Sequence, residues 1–261
     1  MKKYGLIGRK LGHSYSQRWF EELFSRLGLT EYHYGLYEMP TIENLHEWVK
    51  REGLSGFNVT VPFKRTIMAK LDGIDEEAKA VGAVNCVTVE GARLIGHNTD
   101  AQAFRETLEG GGSQEEIGER AFVLGTGGAA QAVAHALGQL GIPYTLVSRR
   151  PSTNGGRQEV TGYSQVIEEL RRAATQGRRI MIVNATPVGM YPDVDKTPLD
   201  LTALSCSLST FYIYDLTYNP SPTLLMRQAE RLGAKTKDGL EMLERQAEAS
   251  ARKWKIEKIS V

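Results

Sequence analysis

Phe122-Val-Leu-Gly-Thr-Gly-Gly-Ala-Ala-Gln131 begins as a short apolar run and breaks abruptly into glycine. The run over 121–124 reads as a buried strand. Gly125, Gly127 and Ala130 then match the G-x-G-x-x-G/A spacing of a dinucleotide-binding turn, with Thr126, Gly128 and Ala129 between them. That spacing is steric in origin. Gly125 permits the tight turn from strand to helix, Gly127 lets a pyrophosphate approach the backbone, and Ala130 keeps helix and strand close. Ala129, Val133, Ala136, Leu137 and Leu140 recur at helical spacing until Gly141 ends the helix. Free N–H groups at such a helix start, with the partial positive charge of its dipole, suit phosphate. A glycine turn in some other α/β unit has the same local requirements, so the loop indicates a nucleotide without naming a reaction.

Composition sets wider bounds. A chain of 261 residues holds one large domain or two modest ones, and 41% hydrophobic with 24% charged residues is ordinary for a globular protein. A net charge of +1 gives no general attraction to nucleic acid or to an anionic membrane, so neither is expected as a partner. No apolar run reaches the length of a membrane span, and the start leads straight into a strand-like segment rather than a signal peptide. Cys86 and Cys206 lie far apart without C-x-x-C spacing, which favours reduced, packed side chains. The five histidines are scattered, so no metal site is expected. These features fit a cytosolic enzyme.

Along the chain, strands are predicted over 4–8, 32–39, 57–61, 84–89 and 93–96, the last two joined by a hairpin turn at Glu90-Gly91. Helices carry Phe20, Leu23, Phe24 and Leu27 with Ser16 as N-cap, then Leu45, Trp48 and Val49 with Thr41 as cap. A short one carries Ile67, Met68 and Leu71, and another opens at Asp75. Alternating β and α elements favour a largely parallel sheet. A connecting helix over 99–108 and a glycine-rich loop over 110–116 lead into the nucleotide unit. There, strands follow at 144–147, 180–183 and 212–216, with a polar loop over 151–162 and helices around Leu170 and Leu225. The last long helix starts after Asp238-Gly239 and carries Leu243, Ala247, Ala251 and Trp254 on one stripe.

Two groups of residues carry chemistry. At the end of the second strand of the nucleotide unit, Ser148-Arg149-Arg150 stands where a carboxylate would select NAD. Guanidiniums there bind a 2′-phosphate, which points to NADP with Arg149 as the stronger candidate; a solvated basic loop is the plainer alternative. The second group is His13-Ser-Tyr-Ser16, Asn58-Val-Thr-Val-Pro-Phe-Lys64, Asn85 and Asn98-Thr-Asp100. Ser14 and Ser16 precede a helix whose free N–H groups suit a carboxylate. Asn58 and Thr60 lie two apart on a strand and share a face, while Val59 and Val61 take the other face into the core. Polar residues beside a lysine just past a strand end suit a polyhydroxylated ligand. Singly, Ser16 reads as a cap, Lys64 as surface charge and Asp100 as a helix-start acid.

Together these residues resemble the shikimate dehydrogenase family, nearly end to end. The family patterns H-S-x-S, N-V-T-x-P-x-K, G-A-V-N and G-x-N-T-D match at 13–16, 58–64, 82–85 and 96–100. The patterns G-x-G-G-A, N-x-T-P-x-G-M, Y-x-x-x-Y-x-P and D-G-x-x-M-L-x-x-Q-A match at 125–129, 184–190, 214–220 and 238–247. The resemblance implies a two-domain α/β fold. Residues 1–100 form a substrate-binding and catalytic domain with a mainly parallel sheet, completed by the C-terminal helix over 238–261. Residues 101–237 form a Rossmann-like NADP-binding domain, with the active-site cleft between the two. It implies reversible NADPH-dependent reduction of 3-dehydroshikimate to shikimate in aromatic biosynthesis, by a monomer or homodimer. Lys64 and Asp100 are then the catalytic pair. Ser14 and Ser16 hold the substrate carboxylate, and Asn58, Thr60, Asn85, Tyr218 and Gln246 surround the ring. Gly125 to Ala129, Ser148, Arg149, Arg150, Thr186, Pro187 and Gly239 bind the cofactor. By this reading the last helix returns to the first domain and sets Gln246 over the substrate.

Some positions depart from the family pattern. Lys10 and Gln17 stand where prolines are common, His97 replaces the usual Asp of G-D-N-T-D, and the N-R-T-x-x-R phosphate clamp lacks its second arginine. The last departure leaves open strict NADP use. Two alternatives share the fold: a quinate/shikimate dehydrogenase using NAD or NADP, and a non-catalytic NADP-binding regulator. Retention of Lys64, Asp100 and Gln246 speaks against the regulator.

Overall fold

The computed structural model describes residues 1–12, 14–110, 117–151 and 160–256. His13, residues 111–116 of the glycine-rich loop, residues 152–159 of the polar loop and the end of the chain from 257 lie outside the described residues. The chain forms two compact units, Met1–Ala103 with Leu243–Val261, and Phe104–Met242.

The sheet of the first unit is built from β1 (Lys2–Gly8), β2 (Tyr32–Glu38), β3 (Gly56–Val59), β4 (Gly73–Ile74), β5 (Cys86–Glu90) and β6 (Arg93–His97), in the order β2-β1-β3-β5-β6-β4. Only β5 opposes its neighbours, because it is one arm of the predicted hairpin with β6. Period-two alternation sends each strand's side chains to two cores. Ile7, Phe57 and Val59 pack with Leu45 and Val49 of α2 (Leu45–Glu52), with Ile67 and with Ala78 of α3 (Glu76–Val81). Tyr4 on the opposite face packs with Phe20 and Phe24 of α1 (Tyr15–Arg26), with Tyr34, and with the C-terminal residues Ala247, Ala251 and Trp254. Phe20 stacks on Tyr34 at 4.4 Å and Tyr4 on Trp254 at 4.8 Å. The Trp254 indole N–H donates to Val87 O at 2.9 Å, over Gly56, where an added Cβ would lie 2.4 Å from Trp254 Nε1. The last helix is thereby fixed to the face of the sheet on which Asn58 points.

Four local expectations are corrected. Helix α1 is capped by Ser14, whose extended backbone turns into the helix, so Ser16 lies in the first turn rather than at the cap. Asn44, not Thr41, precedes α2; the Thr41 hydroxyl instead accepts from Glu43 N–H. Strand β3 ends at Val59, so Val61 is 64% exposed and contributes nothing to the core, and Thr60 lies just past the strand. Lastly, the polar loop over 151–162 contains a short strand, Val160–Thr161.

The second unit holds an all-parallel sheet of β7 (Arg120–Leu124), β8 (Tyr144–Val147), β9 (Val160–Thr161), β10 (Ile180–Asn184), β11 (Phe211–Asp215) and β12 (Lys235–Lys237), in the order β12-β11-β10-β7-β8-β9. Val166 and Leu170 of α6 (Tyr163–Thr175) and Leu225 and Ala229 of α7 (Leu224–Arg231) pack with Phe122, Leu124, Ile180 and Ile182, and burial on both faces explains why β7 and β10 read as unbroken apolar runs. The direction of winding reverses between β7 and β10. In such sheets that reversal opens a crevice at the carboxyl ends of the strands, where ligands bind.

Candidate active site

In the first unit the winding reverses between β1 and β3, which are parallel neighbours. Asn58 closes one side of this point at the end of β3 and Thr60 follows it, donating its N–H to Ile7 O at 2.9 Å. Because β5 is antiparallel, its entry rather than its exit lies at the same edge. Asn85 therefore meets the ends of β3 and β6: its O accepts from Val59 N–H at 2.8 Å, and its N–H donates to His97 O at 3.1 Å. Beyond β6, Asn98 turns the chain into α4 (Asp100–Glu109), accepting from Ala101 N–H at 3.0 Å and donating to Ala83 O. Asp100 thus starts a helix at the edge where Asn58 and Asn85 already point.

Lys64 reaches the same spot. Its Nζ donates to Asp100 Oδ2 at 2.6 Å, with the lysine side chain 17% and the aspartate 7% exposed. Asn85 Nδ2 donates to Asp100 Oδ1 at 2.8 Å and to Thr99 Oγ1 at 2.9 Å, while Asn85 Oδ1 accepts from Thr99 N–H at 2.7 Å. Gln246, on α8 (Leu240–Lys253), brings Oε1 to 3.5 Å from Asn85 Nδ2. The pair can hold a proton on Nζ beside a buried carboxylate, which is what a carbonyl becoming an alcohol requires.

Ser14 and Ser16 stand at the start of α1, whose first turn is free of carboxylates, leaving N–H groups able to meet an anion. Gln17, where proline is common in the family, donates to Tyr34 O at 3.2 Å and so ties α1 to β2. His97 sets Nδ1 2.8 Å from Asp75 Oδ2 and Nε2 3.1 Å from Thr88 Oγ1. Lys253 donates to the same Asp75 oxygen at 3.1 Å. Burial works to raise the Asp75 carboxyl, but the hydrogen bonds from His97, Ala78 N–H and Lys253 prevail and lower it to about 2.

In the second unit Gly125 ends β7 at φ 113°, with Ala185 O and Thr186 Cγ2 within 3.3 Å of where a Cβ would stand, so glycine is required there. The loops after β7 and β10 therefore meet at the winding reversal. Asn184 Oδ1 accepts from Thr186 N–H and Oγ1, and Asn184 Nδ2 donates to the buried Asp215 at 2.9 Å. Burial pushes the Asp215 carboxyl up, against hydrogen bonds from Thr217 N–H and the Thr223 hydroxyl. Gly239 lies so close to Leu216 O that a Cβ would fall 2.0 Å from it. Gly127 caps α5 (Gly128–Gln139) with open space around its missing Cβ, and among the described residues no side chain caps that helix. The first N–H groups of α5 are thus open to an anion, and Arg149 and Arg150 are exposed at the end of β8. This cradle fits a dinucleotide.

The structure brings Lys64, Asp100, Asn58, Asn85 and Gln246 into one network, and Gly125, Gly127 and Thr186 to one strand edge. Tyr218 belongs to the second unit, past β11. Ser250, Tyr34 and Asp215 were not among the residues expected at the site, and Thr99 entered only as the middle of Asn98-Thr-Asp100, without a role of its own. Asp215 had a signal, an acid at the end of an apolar strand, while Ser250 reads as one more small residue on a helix. Among the described residues no helix is long and apolar enough to cross a membrane, and no group of His, Cys, Asp and Glu could hold a metal ion.

A glycine cradle at the reversal of one sheet and a lysine–aspartate pair at the edge of the other define a nucleotide-dependent oxidoreductase. Residues 6–87 match the family model of the shikimate dehydrogenase substrate binding domain. A Shouchella clausii shikimate dehydrogenase (NADP(+)) is 36% identical over 97% of this chain and 92% of its own. A crystal structure of shikimate dehydrogenase 1 from Peptoclostridium difficile superposes with a TM-score of 0.85 at 33% identity, covering 100% of this chain and 94% of that one. One from Thermus thermophilus, in complex with NADP(H) and shikimate, gives 0.80 at 33% identity over 97% and 93%. The chain belongs to the shikimate dehydrogenase family.

Proposed function

We propose that this chain catalyses the reversible NADPH-dependent reduction of 3-dehydroshikimate to shikimate, a step of chorismate and aromatic amino-acid biosynthesis. The observation that carries it is the convergence of a half-buried Lys64 with the buried Asp100, Asn85 and Gln246 from four separate segments. When bound, NADPH supplies the hydride. Lys64 Nζ gives its proton to the carbonyl oxygen during reduction and takes one back during oxidation. Asp100 Oδ2 holds that ammonium in place, and Asn85 Nδ2 holds Asp100 from its other oxygen. Ser14, Ser16 and the start of α1 bind the substrate carboxylate, while Asn58, Thr60, Asn85, Gln246 and Tyr218 bind the ring and its hydroxyls. Backbone N–H groups of 125–129 bind the pyrophosphate, Ser148, Arg149 and Arg150 the 2′-phosphate, and Thr186, Pro187 and Gly239 the nicotinamide half. Residues 1–100 with 238–261 serve as substrate domain and 101–237 as nucleotide domain. A cytoplasmic location accords with the two unpaired thiols, Cys86 and Cys206.

Steady-state assays pairing shikimate or quinate with NADP+ or NAD+ test the reading. It expects the highest kcat/KM for shikimate with NADP+. A preference for quinate or NAD+ would favour the broader dehydrogenase, and no reduced nicotinamide with any pair would favour the regulator.

A further inference from the structure

Asn58 is 4% exposed, and its amide orientation is decided by one partner that can only accept, the backbone carbonyl of Asn85, 3.2 Å from Nδ2. The second Nδ2 proton then goes to Ser250 Oγ at 2.8 Å, and Asn58 Oδ1 accepts from Tyr34 O–H at 2.9 Å. Ser250, fully buried on α8, has a single proton, which goes to Gln246 O at 2.9 Å. Its hydroxyl therefore accepts from everything else it touches. The contact between Ser250 and Thr99 hydroxyls, 3.3 Å apart, thus has Thr99 as the donor. Thr99 Oγ1 in turn accepts from Asn85 Nδ2, whose other proton goes to Asp100 Oδ1.

We propose that Ser250 is a positioning residue for the reaction, its hydroxyl setting the donor–acceptor direction of the buried network that runs from Asn58 through Thr99 and Asn85 to Asp100. The hydroxyl donates to Gln246 O and accepts from Asn58 Nδ2 and the Thr99 hydroxyl, with the Cys86 thiol beside it, so Asn58 and Thr99 each have a single direction left. Both amide protons of Asn58 and both of Asn85 are spent inside the protein. These asparagines have only their oxygens left to meet a ligand, as acceptors for its hydroxyl protons, while the ammonium of Lys64, held on Asp100 Oδ2, supplies a donor. The inference rests on the proposed dehydrogenase activity, because it assigns that polyhydroxylated substrate to the network.

The test measures shikimate binding by calorimetry without nucleotide, together with kcat and KM for both substrates, in wild type, Ser250→Ala, Ser250→Cys, Thr99→Val and Ser250→Ala/Thr99→Val. Cysteine puts a slightly larger sulfur at the same position with a far weaker donor and acceptor, so it tests the hydroxyl without opening a cavity should the alanine variant fold poorly. Both Ser250 variants are expected to weaken shikimate binding about tenfold, with NADP+ KM within about twofold of wild type. Thr99→Val is expected to do less damage in the Ser250→Ala background than in wild type, since the two share one hydrogen bond. Unchanged shikimate binding in Ser250→Ala, or wild-type behaviour of Ser250→Cys, would overturn the proposal. Wild-type protein that neither binds nor oxidises shikimate would instead refute the function on which it rests.

Discussion

Replacing Lys64 with methionine removes the ammonium and keeps an unbranched stem that ends where Nζ would begin. In the wild type Nζ lies 2.6 Å from Asp100 Oδ2, on a lysine 17% exposed at its side chain. Loss of a positioned general acid lowers a rate about 10²–10⁴-fold, equivalent to about 3–5 kcal/mol of barrier. The substitution also strips a charged partner from a carboxylate only 7% exposed, leaving Asn85 Nδ2 on its other oxygen at 2.8 Å. That loss destabilises the fold by about 2 kcal/mol. In a chain of this size it lowers the melting temperature by about 5 °C. The assay is steady-state reduction of 3-dehydroshikimate, with thermal melting to establish that the variant is folded. We expect kcat to fall by about 10²–10⁴ with KM for the acid changed less than about fivefold, since the carboxylate site proposed at the start of α1 is untouched. A folded variant with kcat within tenfold of wild type would refute the proton-transfer role of Lys64.

Arg149→Ala should raise KM for NADP+ by about 10- to 100-fold, the value of one charge-assisted hydrogen bond, and leave KM for NAD+ unchanged; equal effects on both nucleotides would remove Arg149 from the 2′-phosphate site. Asp75→Asn addresses pH. The folded-state pKa of Asp75, about 2, lies below that of a free aspartate. Its contribution is therefore complete above about pH 4 and is lost as pH falls toward 2. After allowance for partial exposure, the variant should be less stable than wild type by about 1–2 kcal/mol at neutral pH, with the difference vanishing near pH 2. Denaturant melts across that range measure it, and a gap that persists at pH 2 would contradict the assignment.

Much of this fold was legible because its signals are local. The glycine turn at 125–127 is dictated by sterics, and the Glu90-Gly91 hairpin by turn chemistry, so both were readable from neighbours in the chain. The same hairpin is why the first sheet contains one opposing strand, and through it why Asn85 reaches the edge where Asn58 ends. Errors arose where two nearby residues could serve one local purpose. Ser14 and Ser16 both suit a helix cap, and Thr41 and Asn44 both precede α2, so only the backbone path separates them. Val61 read as core from simple alternation, but the strand ends at Val59 and the alternation no longer governs it. The very short strands 160–161 and 235–237 carry too few residues for any periodicity. Lys64, Asp100 and Gln246 were legible through family motifs. Ser250 was not, because its role exists only where α8 returns to the sheet and meets Asn58, 192 positions away in the chain.

The most direct test of the central claim is a crystal structure of this protein with shikimate bound. The account predicts the carboxylate at Ser14, Ser16 and the start of α1, with the hydroxyl that is oxidised about 3 Å from Lys64 Nζ. Shikimate bound elsewhere, or bound there with that hydroxyl turned away from both Lys64 and Asp100, would contradict it.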